Sequence, residues 1–183
     1  MKPYQPPQNN PEAKLSANGA IEDVQYVYRV RLCDASLQDS ALLANMNRQL
    51  IEDEGSRNPM SLQELEQRML SWLSSPEWRV VLIEVDGEPA GYCLYTQRVD
   101  AYFPQRPEIY VRHFFVSRHC RRQGIGTAAF RSLMKAYFPP DARLVLDVLV
   151  TNQGGLRFWQ SLGFEPCCMT LELVHSVANG TTA

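Results

Sequence analysis

The chain has 183 residues, 45% of them hydrophobic and 21% charged, and a formal net charge of −2. This composition is typical of one globular domain, and a chain of this length buries enough surface to fold without a metal or disulfides. The negative charge disfavours general nucleic-acid binding, and every apolar run is far shorter than the roughly 20 residues of a membrane helix. We therefore expect no nucleic acid, membrane or metal as a partner.

Residues 1–22 combine proline, glutamine and asparagine with few large apolar groups. Such a composition predicts a disordered N-terminal tail, followed by a single domain over residues 23–183. No apolar run follows the early Lys2, so the segment does not have the pattern of a secretory signal. The five cysteines are odd in number and lack CxxC spacing, which favours a reduced compartment. We expect a cytoplasmic protein.

Alternation of apolar residues predicts strands, and helical spacing predicts helices. In chain order they are a strand over 24–32, a helix from 36 to 55, a helix from 61 to 76, strands over 80–83, 90–95 and 108–116, a helix over 124–137, a strand over 143–150, a helix over 154–162 and a last strand over 169–174. Ser61 and Glu64 form a capping-box pattern, and Asp86-Gly87 suits a tight hairpin turn. This order predicts a mixed α/β fold with one parallel β-α-β crossover.

The segment between the fourth strand and the third helix reads RRQGIG over residues 121–126. A helix N-terminus offers free N–H groups and a positive dipole end, and glycines let a phosphate approach the backbone closely. Arg121 and Arg122 add positive charge. The segment therefore predicts a pyrophosphate cradle, with a tight turn and solvated arginines as the alternative. It lacks both the Gly-Lys-Ser/Thr ending of a P-loop and the third glycine of a Rossmann motif.

This Arg-x-x-Gly-x-Gly pattern is followed by Asn152 and then by the motif Phe158-Trp159-x-x-Leu162-Gly163-Phe164. Together with the order of elements, these motifs closely resemble the GNAT superfamily of N-acetyltransferases over roughly residues 26–174. The resemblance implies a twisted mixed sheet flanked by helices, in which the fourth and fifth strands splay apart around pantetheine. It also implies an N-acetyltransferase that uses acetyl-CoA as its co-substrate.

The resemblance assigns the acetyl-CoA site residue by residue. The cradle binds the pyrophosphate, and the backbone at the end of the fourth strand faces the thioester and the pantetheine arm. Asn152 contacts that arm, and Phe158 packs near it. The full predicted set is Phe114, Phe115, Val116, Arg121, Arg122, Gln123, Gly124, Ile125, Gly126, Thr127, Asn152 and Phe158.

The chain departs from the family pattern at Trp159, where many members have a tyrosine that protonates the leaving thiolate. An indole N–H donates hydrogen bonds but does not give up its proton at ordinary pH. Packing beside Phe158 and Phe164 is the favoured role of Trp159. Either the thiolate leaves without an acid, or another residue such as Tyr110 or Tyr95 serves.

The acceptor amine must lose a proton before it attacks, because a free alkyl ammonium has a pKa of about 10.4. We expect Glu108 or Tyr110 to act in catalysis. Glu108 is the leading candidate for the base, and the alternative is that Glu108 is only a solvated carboxylate at the start of the strand. Arg112 is expected on the same strand face, where it binds an acceptor carboxylate or pairs with an acid of the first helix. His113 is expected on the opposite face, as a packed or surface residue.

The first helix ends in Glu52, Asp53 and Glu54, although its negative dipole end favours cations. In the resembling family the following loop borders the acceptor site. These acids therefore predict attraction of an amine, with a solvated acidic turn as the alternative. Two other functions stay open: a non-catalytic acyl-CoA-binding regulatory module, and acetylation of a protein N-terminus or lysine. The last predicted strand also offers an edge for a homodimer.

Overall fold

The structure is a computed structural model that describes residues 28–173. The elements within that range are β1 Val30–Asp34, α1 Ser40–Glu54, α2 Leu62–Ser74, β2 Trp78–Val85, β3 Glu88–Val99, β4 Pro107–Val116, α3 Ile125–Ala136, β5 Arg143–Leu146 and α4 Gln153–Ser161. The predicted tail over 1–22 and the first residues of the predicted first strand lie outside the described range. No helix in that range is long and apolar enough to cross a membrane.

The strands form one sheet in the order β1-β2-β3-β4-β5. Neighbouring strands are antiparallel except β4 and β5, which are parallel because α3 carries the chain from one to the other. One apolar core joins α1 and α2 to one face of the sheet, and a second joins α3 and α4 to the other face. The predicted mixed α/β fold is confirmed.

Local sequence signals set several of these boundaries. Ser61 and Glu64 make the predicted capping box, with reciprocal hydrogen bonds at the start of α2. Asp86 and Gly87 both have positive φ angles, 53° and 91°, as a tight hairpin between β2 and β3 requires. The helix predicted from residue 36 begins later: Ser36 and Asp39 cap a short 3-10 turn, and α1 begins after it at Ser40.

Strand β4 contains a bulge at Arg112. Leu94 of β3 lies opposite His113 while Tyr95 lies opposite Val111, so Arg112 has no opposite residue. An extra residue reverses the alternation of side chains beyond it. His113 therefore shares a sheet face with Tyr110, and the prediction that it lies on the opposite face is wrong.

Strands β4 and β5 separate at the same point. Their parallel pairing ends at Val111 and Leu146, and β4 continues to Val116 with β3 as its remaining neighbour among the described residues. The predicted splay between the fourth and fifth strands is confirmed. The predicted extension of β5 to residue 150 is wrong, because beyond Leu146 the chain no longer has β4 as a hydrogen-bonding partner.

The predicted last strand is also corrected. Met169 to Leu173 form no strand, and the side chains of Met169, Leu171 and Leu173 are more than 80% exposed. Alternation of apolar residues specifies a strand only where a sheet edge pairs with it. The edge available here is β5, which is four residues long. Val174 lies outside the described residues.

Candidate active site

The gap between the diverging strands is walled by aromatic rings. Phe114 of β4 stacks on Phe158 of α4, with ring centroids 5.7 Å apart and an interplanar angle of 6°. A Cβ atom on Gly126 would lie 3.2 Å from the Phe158 ring. The small residue at 126 therefore lets α3 approach this wall closely. Phe114, Gly126 and Phe158 therefore lie close together beside the part of β4 that β5 no longer pairs with, and their contact with pantetheine stays a prediction.

The loop before α3 has the backbone of an anion cradle. Gly124 is the N-cap of α3 with a φ of 78°, and a Cβ at that position would meet no atom of the described residues within 4 Å. Arg122 has a φ of 64°, is exposed, and forms no salt bridge with any residue of 28–173. The first N–H groups of α3, which have no acceptor within the helix, thus lie next in sequence to a cation without a salt bridge in that range.

The other arginines of this loop are already paired. Asp53, at the end of α1, accepts hydrogen bonds from both Arg118 and Arg121. Arg118 also donates to Glu52 at 3.1 Å, and the Arg121 Nε donates to the Val116 carbonyl at 2.7 Å. Two of the three predicted acceptor-binding acids, Glu52 and Asp53, therefore anchor α1 to the loop that precedes α3.

This network predicts a pH-dependent loss of stability in Asp53→Asn. Burial acts to raise the pKa of Asp53, but the hydrogen bonds from Arg118 and Arg121 outweigh it and hold the pKa below its ordinary value. A lowered folded-state pKa stabilises the protein above the unfolded pKa of about 3.9, and this contribution disappears as the pH falls through the folded value.

We expect Asp53→Asn to lose about 1 kcal/mol of unfolding free energy at pH 7, after allowance for solvent screening, and progressively less below pH 4. Urea unfolding at a series of pH values measures this difference. Glu84→Gln is the matched control, because Glu84 pairs with the exposed Arg31 at 3.8 Å. An equal loss in the two variants at pH 7 would contradict the anchoring role of Asp53.

Glu54 differs from its two neighbours. Its carboxylate has no salt bridge among the described residues, and burial, together with the charge of Asp53, raises its pKa above the ordinary value. The Thr151 hydroxyl donates to the Glu54 carbonyl at 2.6 Å, which holds the end of α1 against the segment after β5. Of the three acids, Glu54 is the one available to a bound cation.

Tyr110 lies where β4 and β5 separate. Its hydroxyl donates to the Asp147 carboxylate at 2.6 Å, one residue beyond the end of β5. The Arg98 guanidinium lies 3.8 Å from the centroid of the Tyr110 ring. Burial and the neighbouring Asp147 raise the pKa of Tyr110. A hydroxyl and a carboxylate thus form a hydrogen-bonded pair at the start of the gap, an arrangement that can transfer a proton.

Glu108, the leading sequence-based base, lies elsewhere. Its carboxylate pairs with Arg143 at 2.6 Å, and Glu108 is opposite Arg143 in the paired part of the β4 and β5 ladder. Four residues along a strand span roughly 13 Å, so Glu108 is far from the bulge at Arg112. The structure brings Tyr110 to the gap and leaves Glu108 in an ion pair at the closed end.

Trp159, at the position of the family's acid, and the candidate acid Tyr95 both lie in the core that joins α3 and α4 to the sheet. Trp159 is packed against Phe130, Phe158 and Phe164, with ring centroids 4.9 to 5.2 Å away. The prediction that Trp159 is a packing residue is confirmed. Tyr95 packs against Phe138 on the same face, and burial raises its pKa to about 12. Tyr110 is thus the tyrosine of these candidates that reaches the gap.

Asn152 and the remaining cradle residues have local structural roles as well. The Asn152 side chain accepts a hydrogen bond from the Gly155 N–H at 2.8 Å and so caps α4. Gln123 donates to the His119 carbonyl at 2.9 Å, and Ile125 is buried. Thr127 lies half-buried in the first turn of α3. These assignments to acetyl-CoA stay predictions.

The fold and the open cradle agree with a comparison against protein families. The model of the acetyltransferase (GNAT) family matches residues 45–164. The chain belongs to this family. It is therefore an acetyl-CoA-dependent acyltransferase, as the resemblance of its motifs implied, although no curated protein matches it.

Solved structures share this GNAT fold at low sequence identity. They include a ribosomal-protein-alanine N-acetyltransferase from Brucella melitensis biovar Abortus 2308 (16% identity, TM-score 0.64, covering 81% of this chain and 100% of the other). Another is an aminoglycoside acetyltransferase from an uncultured soil metagenomic sample, in complex with sisomicin (14% identity, TM-score 0.60, covering 81% of this chain and 97% of the other). A third is a predicted acetyltransferase from Clostridium acetobutylicum, with acetyl-CoA (15% identity, TM-score 0.62, covering 80% of this chain and 96% of the other). These likenesses establish the fold.

Two residues of the GNAT domain that bear on its candidate site, Asp147 and Arg68, are not indicated by any sequence motif. Asp147 follows an apolar strand and has no nearby motif, so its partner Tyr110 becomes visible only when β4 and β5 are paired. Arg68 lies four residues before Trp72 on α2, a spacing that places both on one helix face. That spacing is a signal the sequence offers, but it does not indicate which strand the face meets.

Proposed function

We propose that this chain transfers the acetyl group of acetyl-CoA directly to the primary amine of a small molecule. The observation that carries the proposal is the gap between β4 and β5, which opens beside the free N-terminus of α3 and contains the Tyr110 and Asp147 pair. Acetyl-CoA supplies an activated thioester. The protein must then bind its phosphates, hold its arm and manage one proton.

The residues present fit coenzyme A. Arg122, which has no salt bridge among residues 28–173, and the N–H groups at the start of α3 offer a site for an anion. Residues 112–116 of β4 have no strand partner on the β5 side among the described residues. The Val116 carbonyl accepts a hydrogen bond from Arg121, so the backbone groups of 112–115 on that side are the ones that can bond the amides of pantetheine. Phe114 and Phe158 supply an apolar wall for the arm.

Tyr110 and Asp147 can manage the proton. The incoming ammonium transfers a proton to the Tyr110 oxygen as the tyrosine proton moves to Asp147, which leaves a neutral amine able to attack the thioester. When the C–S bond breaks, Tyr110 gives its proton to the departing thiolate and is reprotonated by Asp147, while the second N–H proton of the tetrahedral intermediate is released to water as the amide forms. No cysteine relay is required. Glu108 stays a prediction as a base, with its carboxylate held by Arg143.

Steady-state release of free coenzyme A tests the proposal. The protein is incubated with acetyl-CoA and a panel of small primary amines, and thiol is measured continuously while the acetylated product is identified by mass spectrometry. We expect multiple turnovers with at least one small amine. Acetyl-CoA binding without turnover of any amine would favour the regulatory module, and turnover of peptides alone would favour a protein acetyltransferase. A cytoplasmic location and a homodimer remain predictions.

A further inference from the structure

A polar cluster on the α2 side of the sheet is not used by the proposed chemistry. Trp72 lies at its centre. The Arg68 guanidinium is 5.0 Å from the Trp72 ring centroid, the Arg112 guanidinium is 5.6 Å away, and the His113 ring meets the indole edge-on at 5.3 Å. We call Arg68, Trp72, Arg112 and His113 the Trp72 cluster.

The Trp72 cluster has an excess of positive charge. Neither Arg68 nor Arg112 forms a salt bridge with any acid in residues 28–173. Burial lowers the pKa of Arg68, and the charge of Arg112 lowers it further. Burial and the same two arginines lower the pKa of His113 to about 3, so this imidazole is neutral at physiological pH. Two cations that repel each other indicate a site for an anion.

Two buried hydrogen-bond donors at the cluster lack acceptors among residues 28–173. Asn47 of α1, beside the cluster, is completely buried and accepts a hydrogen bond from Arg68 Nη2 at 2.7 Å. Burial raises the pKa of Tyr92 and the Asn47 side chain partly offsets that effect, but the Asn47 Nδ2 atom makes no hydrogen bond of good geometry with a described residue. Arg68 Nε is likewise buried without a partner in that range. Buried donors of this kind are usually satisfied, and an oxygen-rich anion would supply acceptors.

The cluster borders the reaction site. Arg112 is the bulge residue of β4, next to the last residue paired with β5 and two residues from Tyr110. His113 bonds the Tyr92 hydroxyl at 3.0 Å, and burial together with the charge of Glu54, at the end of α1, raises the pKa of Tyr92. A cation site at Glu54 and an anion site at the cluster therefore lie on the same side of the sheet.

We infer that the acceptor is an amine that also carries a carboxylate, which Arg68 and Arg112 bind beside Trp72. This inference rests on the proposed function and names the class of its second substrate. Two guanidinium groups with a shared aromatic neighbour suit the planar, two-oxygen geometry of a carboxylate. The amine of an amino acid would then extend toward Tyr110 and Glu54.

The test compares each amino acid with its own amide. Glycine, β-alanine, 4-aminobutyrate and glutamate are assayed beside the matching amides, including glutamate 1-amide, at equal concentrations of free amine. We expect at least one acid to have a kcat/KM more than tenfold above its amide, mainly through a lower KM. Equal values for all acids and amides would overturn the inference while leaving the proposed function intact. Absence of turnover with every amine would overturn both.

Variants locate the effect. Arg112→Gln, at an exposed position, should raise the KM of the preferred acid about tenfold and leave the KM of its amide unchanged. Arg68→Met should likewise raise the KM of the acid and leave that of the amide unchanged. Thermal unfolding checks that the Arg68→Met protein is folded. Arg31→Gln, on the exposed β1 edge, is the matched control and should change neither value. A KM increase of equal size for acid and amide in Arg112→Gln would contradict carboxylate binding.

Discussion

Gly124→Glu is expected to weaken acetyl-CoA binding by at least 100-fold in calorimetric titration. Gly124 caps α3 in a left-handed conformation, and no atom of residues 28–173 lies within 4 Å of the position of a Cβ on it. A glutamate there would place a carboxylate at the helix N-terminus, where it would fill the proposed pyrophosphate position and repel the phosphates. It would also strain the backbone by about 1–2 kcal/mol, because side chains other than glycine rarely adopt this φ.

Gly87→Glu separates the two effects. Gly87 has a φ of 91° and equally open surroundings, but lies in the β2 and β3 hairpin. The two variants should lose similar amounts of unfolding free energy, while acetyl-CoA affinity falls in Gly124→Glu and is retained in Gly87→Glu. If Gly124→Glu is folded and binds acetyl-CoA with native affinity, residues 121–126 do not form the pyrophosphate site.

The fold was predictable where short-range signals and sheet pairing agree. The capping box at Ser61 and the hairpin at Asp86-Gly87 depend on residues a few positions apart, and both occur as expected. The predicted strand over 169–174 shows the limit. Its alternating pattern is genuine, but a strand also needs a free edge of matching length, and the length of β5 cannot be derived from residues 169–173.

The candidate site shows the same limit for individual side chains. Strict alternation along β4 predicts that His113 and Tyr110 lie on opposite faces of the sheet. The bulge at Arg112 breaks this alternation, so that the two side chains share a face. The acids at the end of α1 were interpreted as a group, yet Asp53 is committed to Arg118 and Arg121 while Glu54 is not. Contacts between residues 65 or more positions apart decided which acid is free.

Tyr110→Phe is expected to lower kcat about 100-fold without changing the acetyl-CoA dissociation constant. The substitution removes the hydroxyl that donates to Asp147 and keeps the ring under Arg98. A positioned group that transfers a proton contributes roughly 10²- to 10⁴-fold to a rate, whereas a ring that only packs contributes to stability. Single-turnover acetylation of a small amine, with coenzyme A release as the signal, measures the loss.

Asp147→Asn and the double variant show whether Tyr110 and Asp147 act together. If one proton passes through both groups, Asp147→Asn should also lower kcat, and the double variant should be little slower than either single variant. Tyr95→Phe is the matched control, because Tyr95 is a buried tyrosine on the opposite face of the sheet and should retain native kcat. If the losses multiply in the double variant, the two residues act independently. If Tyr110→Phe keeps the native kcat, another group transfers the proton, and Glu54 is the next carboxylate to substitute.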